Sequence, residues 1–251
     1  MEQPLVSIIM PCYNMAAFIS ESIHSVITQT YTNWEMLIVD NVSNDGTVEI
    51  VKRFCATDDR IHLFQNEQHL GIGASRNKAI LAAKGHYLAF LDADDIWSPE
   101  KLATQVGFMM EKNVGFSFTS YDCIDEKGDK LQRMIRQSGD MDYNDYLHNT
   151  VIGCSTVMLN TEIIGPVTMP DFRTSEDTAT WLSILRKGYR AYSIDKLLVS
   201  YRIRKQSASS NKFKASRDLW TVYRKQEKLP LFKTIGCFSS YAFHALKRRF
   251  G

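Results

Sequence analysis

The sequence predicts an α/β protein in which a central, mostly parallel sheet is flanked by helices and followed by a C-terminal helical tail. Three observations carry this. Strand-like and helix-like segments alternate four times within residues 1–95 on short connections, the pattern of a parallel sheet covered on both faces. The apolar run Leu88-Ala89-Phe90-Leu91 ends abruptly in Asp92-Ala93-Asp94-Asp95, at the strand end where α/β sheets bind ligands. Charge also divides the chain: residues 1–201 carry 17 Lys+Arg against 26 Asp+Glu (−9), and residues 202–251 carry 13 against 2 (+11).

In order, Val6 to Pro11 is a short buried strand, and 16–29 has helical spacing through Phe18, Ile19, Ile23, Val26 and Ile27. Trp34 to Asp40 is the second strand, Asn44-Asp45-Gly46 a turn, and 47–55 a short helix. A strand at 61–64, a helix at 73–84 and a strand from His86 to Asp92 complete an α/β half of the nucleotide-binding type. Ser98 is placed to cap the next helix, with Pro99 in its first turn. Beyond it 114–118 and 154–159 read as strands, separated by Lys127-Gly128-Asp129 and a polar segment at 137–149. Helical spacing at 176–187 stops at Gly188, 189–203 is strand-like, and helices at 212–228 and 231–248 are broken by Pro230. The expected division is a main domain over 1–205, with halves 1–95 and 96–205, and a basic helical appendage over 206–251.

No run of 18 apolar residues is present, which argues against a membrane span. The chain enters a strand after Met1-Glu2-Gln3-Pro4 with neither a basic segment nor a cleavage site, so the expected location is the cytoplasm. Cys12, Cys55, Cys123, Cys154 and Cys237 are scattered without Cys-x-x-Cys spacing and read as buried thiols rather than a zinc or redox site. The basic tail suits nucleic acid, an anionic membrane or a phosphorylated substrate. Nucleic acid is disfavoured, because aromatic reading motifs are absent and the acidic body repels phosphate.

Clustered acids at a strand end suit hard Mg2+ or Mn2+, which prefer oxygen ligands; a solvent-facing acidic turn is the plain alternative. Pro11, Tyr13 and Asn14 lie just beyond the first strand, where ring and amide can contact a base or simply cap the strand end. Gly71-Ile72-Gly73 allows close backbone approach to a ligand, and the Arg76 guanidinium that follows suits pyrophosphate or carboxylate. Glu176 and Asp177 would favour a helix start through the helix dipole alone.

Together these pieces resemble family 2 glycosyltransferases of the GT-A fold. The matching residues are Val6 to Asn14, Gln29-Thr30-Tyr31 with Trp34-Glu35, Val39 to Thr47, Gly71 to Asn77, Asp92 to Asp95, Ser175-Glu176-Asp177, and Tyr201-Arg202 followed by Ser207. The resemblance implies an inverting, metal-dependent transferase using a nucleotide-diphosphate sugar, UDP-linked, and a saccharide acceptor carried on a lipid in surface polysaccharide biosynthesis (O-antigen, capsule or exopolysaccharide). A missing Gln-x-x-Arg-Trp pattern implies a non-processive enzyme. Asp94 would be the ligand of Mn2+ or Mg2+; Asp92, with Ala93 beside it, would contact ribose or donor; and Asp177 would take the proton of the acceptor hydroxyl. Asp95 is the least specific of the acids and can cap the following turn. Members usually carry a second acid after Asp40, one of the two accepting the uracil N–H. Asn41 stands there, and its amide can accept that bond or donate one. Arg76 would hold the nucleotide end of the donor or an acid of the site. A histidine often stands at Arg204; since arginine stays protonated and cannot ligate a metal, Arg204 is expected on the diphosphate, with Lys205 to Ser210 a lid or a plain loop.

In the tail, Leu231, Ile235, Phe238, Ala242 and Leu246 form one apolar stripe, widened by Phe232 and Phe243, with Lys233 and Lys247-Arg248-Arg249 near its ends. Such a helix over 231–249 either lies on the anionic cytoplasmic face of the inner membrane, each basic residue contributing on the order of 1 kcal/mol, or packs on the main domain. Competing activities are a sugar-activating nucleotidyltransferase, which would normally show a Gly-rich basic loop where Cys12-Tyr13-Asn14-Met15 stands, and a polyprenyl-phosphate glycosyltransferase.

Overall fold

The computed structural model describes residues 3–172, 174–205 and 212–250, with side chains for all of these except 212, 213 and 246–250. Strands β1 (Val6–Cys12), β2 (Trp34–Asp40), β3 (Ile61–Gln65) and β4 (Tyr87–Phe90) alternate with helices α1 (Ile19–Ile27), α2 (Thr47–Cys55) and α3 (Ile72–Ala82). They pair in parallel in the order β3-β2-β1-β4, as the alternation predicts. Then come β5 (Ile96–Trp97), α4 (Lys101–Lys112), β6 (Phe116–Ile124), β7 (Lys130–Ile135), α5 (Tyr143–His148), a 3₁₀ turn (Cys154–Thr156), β8 (Met158–Asn160), α6 (Thr161–Ile164), α7 (Glu176–Arg186) and β9 (Tyr192–Arg202). This second half of the sheet is mixed. β8 runs antiparallel to β4 and β6, β6 is parallel to β9 and antiparallel to β7, and β5 closes the far edge antiparallel to β9.

Both faces of the sheet are covered, which is why β1, β2 and β4 are mostly apolar; the buried polar pair within them satisfies itself, the Ser7 hydroxyl donating to Glu35 Oε1 at 2.7 Å. Ile8, Met10, Met36 and Ile38 pack with Ile23 of α1, Val51 of α2 and Leu102 of α4. Ile9, Leu37, Val39 and Phe90 share the opposite core with Ala79 of α3 and Trp181 of α7.

Three local expectations change. Ser98 does not cap α4; Gln29 does so from across the chain, its Oε1 accepting from the Leu102 N–H at 3.0 Å while its Nε2 donates to the Ser98 carbonyl at 2.8 Å. That gives the Gln29-Thr30 motif a structural role. The segment 154–159 is a 3₁₀ turn leading into β8, because the Val157 N–H bonds the Cys154 carbonyl at 3.1 Å and the Thr156 hydroxyl bonds that of Gly153 at 2.6 Å. The helix expected over 212–228 is α8 (Lys212–Thr221) followed by a π-helical turn (Val222–Gln226), and α9 (Leu231–Phe250) begins after Pro230.

The tail belongs to the same body as the sheet. Leu219, Val222, Tyr223, Leu229 and Cys237 are buried in the core that holds Trp181 and Phe116. The Tyr223 hydroxyl donates to the Leu147 carbonyl at 2.6 Å, and that of Tyr143 to Glu227 Oε2 at 2.7 Å. No described helix is long and apolar enough to cross a membrane.

Candidate active site

The site lies where β1, β2 and β4 end. The backbone reverses beyond β4 with the Asp95 N–H bonding the Asp92 carbonyl at 3.0 Å, which keeps the acids together. Each then has a separate partner. Arg76, from α3, donates through one Nη to Asp92 Oδ1 at 2.5 Å and through the other to Glu176 Oε1 in the first turn of α7. Arg204 donates its Nε to Asp94 Oδ2 at 2.6 Å. Asp95 is fully buried, accepting from the Ser155 hydroxyl at 2.5 Å and the Arg202 N–H at 3.0 Å. It is therefore a tie between β4 and β9 rather than a ligand-facing acid.

The charge balance decides the protonation of this cluster. Asp92, Glu176 and Asp177 share the single guanidinium of Arg76, which is 2% exposed. One cation cannot neutralise three carboxylates, so burial prevails: Glu176 is pushed up to about 7, with Asp177 and Asp92 adding to the rise and Arg76 opposing it. Asp177, partly accessible and accepting from the Thr178 N–H at 2.6 Å, is also raised by burial against the pull of Arg76. Asp94 is raised by burial and by Asp92, with Arg204 opposing.

In the loops that follow β1 and β2, the structure ties most expected residues to one another. Asn14, in the left-handed region at φ 53°, accepts from the Asn44 N–H at 2.9 Å, so it joins the two loops that follow β1 and β2. Asp40 is buried, accepting from the Ser43 N–H at 3.1 Å. The Asn41 amide pairs with the backbone of Leu70 in both directions, at 2.7 and 2.8 Å, and accepts from Asn66 at 3.0 Å. Its hydrogen-bonding capacity goes to holding the 66–70 loop. Tyr13 remains 44% exposed, its ring edge-on to His69 at 4.5 Å. Pro11 lies within β1 opposite Val39, one residue before its end, and Ala93 is buried in the core.

Gly73 serves packing rather than ligand approach: a Cβ there would lie 2.9 Å from the Pro170 carbonyl and 3.4 Å from Glu176 Cβ. The glycine lets α3 meet the start of α7, and so lets Arg76 reach Glu176.

Sequence reading missed two residues. Arg202, 2% exposed, clamps the acid loop by donating its Nε to the Asp94 carbonyl at 2.8 Å and reaching Glu21 of α1; its only sequence signal was the Tyr201-Arg202 match. Ser155 accepts from the Asp92 N–H at 3.1 Å while donating to Asp95, and a lone serine in an apolar run carries no such signal. Of the lid or loop expected over Lys205 to Ser210, residues 206–210, Ser207 among them, lie outside the described residues. A cleft of 640 Å³ along β3, lined by Leu37, Lys52, His62, Phe64 and Lys84 among others, shares no residue with the acid cluster.

Among the described residues no group of three or more His, Cys, Asp or Glu side chains is arranged to hold a metal alone. Arg76 takes one oxygen of Asp92 and Arg204 one oxygen of Asp94. That donor set fits a hard cation bound through one or two carboxylates, with substrate phosphates supplying the rest.

Comparison with known proteins agrees with this geometry. The chain is 45% identical over 98% of its length, and 98% of the relative's, to TuaG of Bacillus subtilis (strain 168), provisionally named a teichuronic acid biosynthesis glycosyltransferase. It is 40% identical, over 88% of its length and 86% of the relative's, to WfgD of Escherichia coli, a UDP-Glc:alpha-D-GlcNAc-diphosphoundecaprenol beta-1,3-glucosyltransferase. Its fold is shared by S. aureus TarS 1-349 in complex with UDP-GlcNAc (TM-score 0.70, 19% identity, covering 98% of this chain and 72% of that one). It is shared also by the mannosyltransferase PcManGT from Pyrobaculum calidifontis in complex with GDP-Man and Mn2+ (TM-score 0.70, 22% identity, 96% and 70%). With the family described as Glycosyl transferase family 2 matching residues 7–165, the chain belongs to that family and is a glycosyltransferase of the GT-A fold.

Proposed function

We propose that this enzyme moves a sugar from a UDP-linked donor, with inversion, to a hydroxyl of a saccharide carried on a lipid diphosphate, at the cytoplasmic face of a membrane where surface polysaccharide is assembled. One observation carries the reading: Arg76 joins Asp92, after β4, to Glu176, 100 residues away in sequence, and so brings the donor-side acids together with Asp177. Asp177 then serves as general base, taking the acceptor hydroxyl proton as that oxygen attacks the anomeric carbon. Burial suits it to this, since a carboxylate with a raised pKa holds the proton better. Tyr13, half-exposed past β1, offers its ring to the base, while Asn14, Asp40 and Asn41 hold the loops that shape that end of the site. Asp94, with Asp92 beside it, would hold Mn2+ or Mg2+, which would supply a Lewis acid to stabilise the charge on the leaving diphosphate. The name of WfgD supports the UDP donor and the lipid diphosphate, and that of TuaG the polysaccharide context.

The test is a panel of nucleotide sugars offered with Mn2+ and a lipid-diphosphate-linked saccharide; transfer from UDP-sugars supports the reading, and transfer only from another nucleotide class overturns the donor assignment. Asp94→Asn is expected to weaken Mn2+-dependent UDP binding by about tenfold or more, as loss of a charged ligand does, while the protein stays folded. Calorimetry with and without Mn2+ checks this, and unchanged metal dependence would remove Asp94 from the metal site.

A further inference from the structure

Helix α9 has two apolar faces, and the core takes only one of them. Thr234 and Cys237 are fully buried, and Phe238 and Tyr241 pack beside them against the core, Phe238 edge-on to Trp220 at 5.4 Å. The sequence-derived stripe is thus split, since Phe238 turns inward. Outward stand Leu231 (56% exposed), Phe232 (78%), Ile235 (51%) and Phe243 (66%). At about 100° per residue these four fall within an arc of about 120°, on the side away from the buried residues.

Their surroundings are basic. Arg224, Lys225 and Lys228 are exposed just before the helix, Lys233 lies in its first turn, and Lys247-Arg248-Arg249 follow in sequence near its end. No Asp or Glu occurs after Glu227, whose own side chain is buried against Tyr143 and Arg186. Self-association through this face would bring like charges together, whereas protruding Leu, Ile and Phe on a helix flanked by cations match an anionic lipid surface.

We infer that the outward face of α9 docks the folded enzyme on an anionic bilayer, Phe232 and Phe243 entering the acyl boundary while the inward face stays in the core. The inference rests on the proposed lipid-linked acceptor, which would place enzyme and substrate on one surface.

Co-sedimentation with phosphatidylglycerol–phosphatidylcholine vesicles, against phosphatidylcholine alone, tests it with the full chain. The wild type is expected to prefer anionic vesicles and to be released by salt. Phe232→Ser with Phe243→Ser should weaken binding about tenfold or more with an unchanged melting temperature, and Lys228→Glu with Lys233→Glu should remove the preference for anionic lipid. Equal binding to both vesicle types, undiminished binding of both variants, or a wild-type dimer that the phenylalanine substitutions dissociate would overturn the inference. Transfer to a soluble acceptor, measured on the same samples, separates the two readings. Vesicle binding without transfer counts against the activity alone, and transfer without vesicle binding counts against this face alone.

Discussion

Asp177→Asn is expected to lower kcat by roughly 10²–10⁴, the range seen when a general base is lost, while UDP-sugar binding stays close to wild type. The substitution keeps the side-chain oxygen that accepts from the Thr178 N–H and removes the carboxylate charge, and with it the capacity to take a proton. The pH profile adds a second readout. Burial raises the Asp177 pKa, so the base is protonated and kcat falls on the acid side at a pH above the ordinary carboxylate value of about 3.9. Steady-state kinetics against pH checks both, and a variant with the wild-type rate would place the base elsewhere.

Arg76→Met is expected to destabilise the fold by about 3–5 kcal/mol, because removing the cation leaves Glu176 buried without compensation. For a chain of this size that is a fall in Tm of roughly 6–20 °C. The sign with pH follows from Glu176, whose folded value of about 7 lies above its unfolded value near 4.5. In the wild type its ionised form opposes folding above about pH 7, and the penalty is relieved as pH falls toward 4.5. Without Arg76, which holds Glu176 down, the folded value rises further, so the variant's deficit from Glu176 grows as pH rises through 7 and is greatest at alkaline pH. Adding Glu176→Gln should restore part of the loss, the two effects being non-additive because the residues touch. Thermal melts across pH decide this, and an Arg76→Met protein as stable as wild type would show that the bridge does not hold α3 to α7.

The parallel half of the sheet was legible because strands buried on both faces are mostly apolar, and the acids at the end of β4 stand out against them. β7 was not: five of its six residues are exposed, so no burial pattern marks it. β5 is two residues long and exists through its pairing with β9. α5 had a signal, since Asp142 and Asp145 form a reciprocal capping box, but it lies in a segment whose polar composition reads as loop. The candidate acids could be named from the sequence, yet their pairing could not. Whether Arg204 meets Asp94, or Arg76 spans Asp92 and Glu176, depends on contacts between residues 16 to 110 positions apart. Asn41 shows the same limit from the other side, because its short polar side chain serves the Leu70 loop rather than remaining open. In α9, periodicity revealed apolar spacing without saying which of two stripes the core covers.

The proposed reaction is a single displacement in which Asp177 deprotonates the acceptor opposite a leaving diphosphate held at the end of β4. Proton NMR of the newly formed linkage, recorded during transfer from an α-linked UDP-sugar, reads the stereochemistry of that step. The first product is expected to carry the β anomer; an α-linked first product would rule out a single inverting displacement.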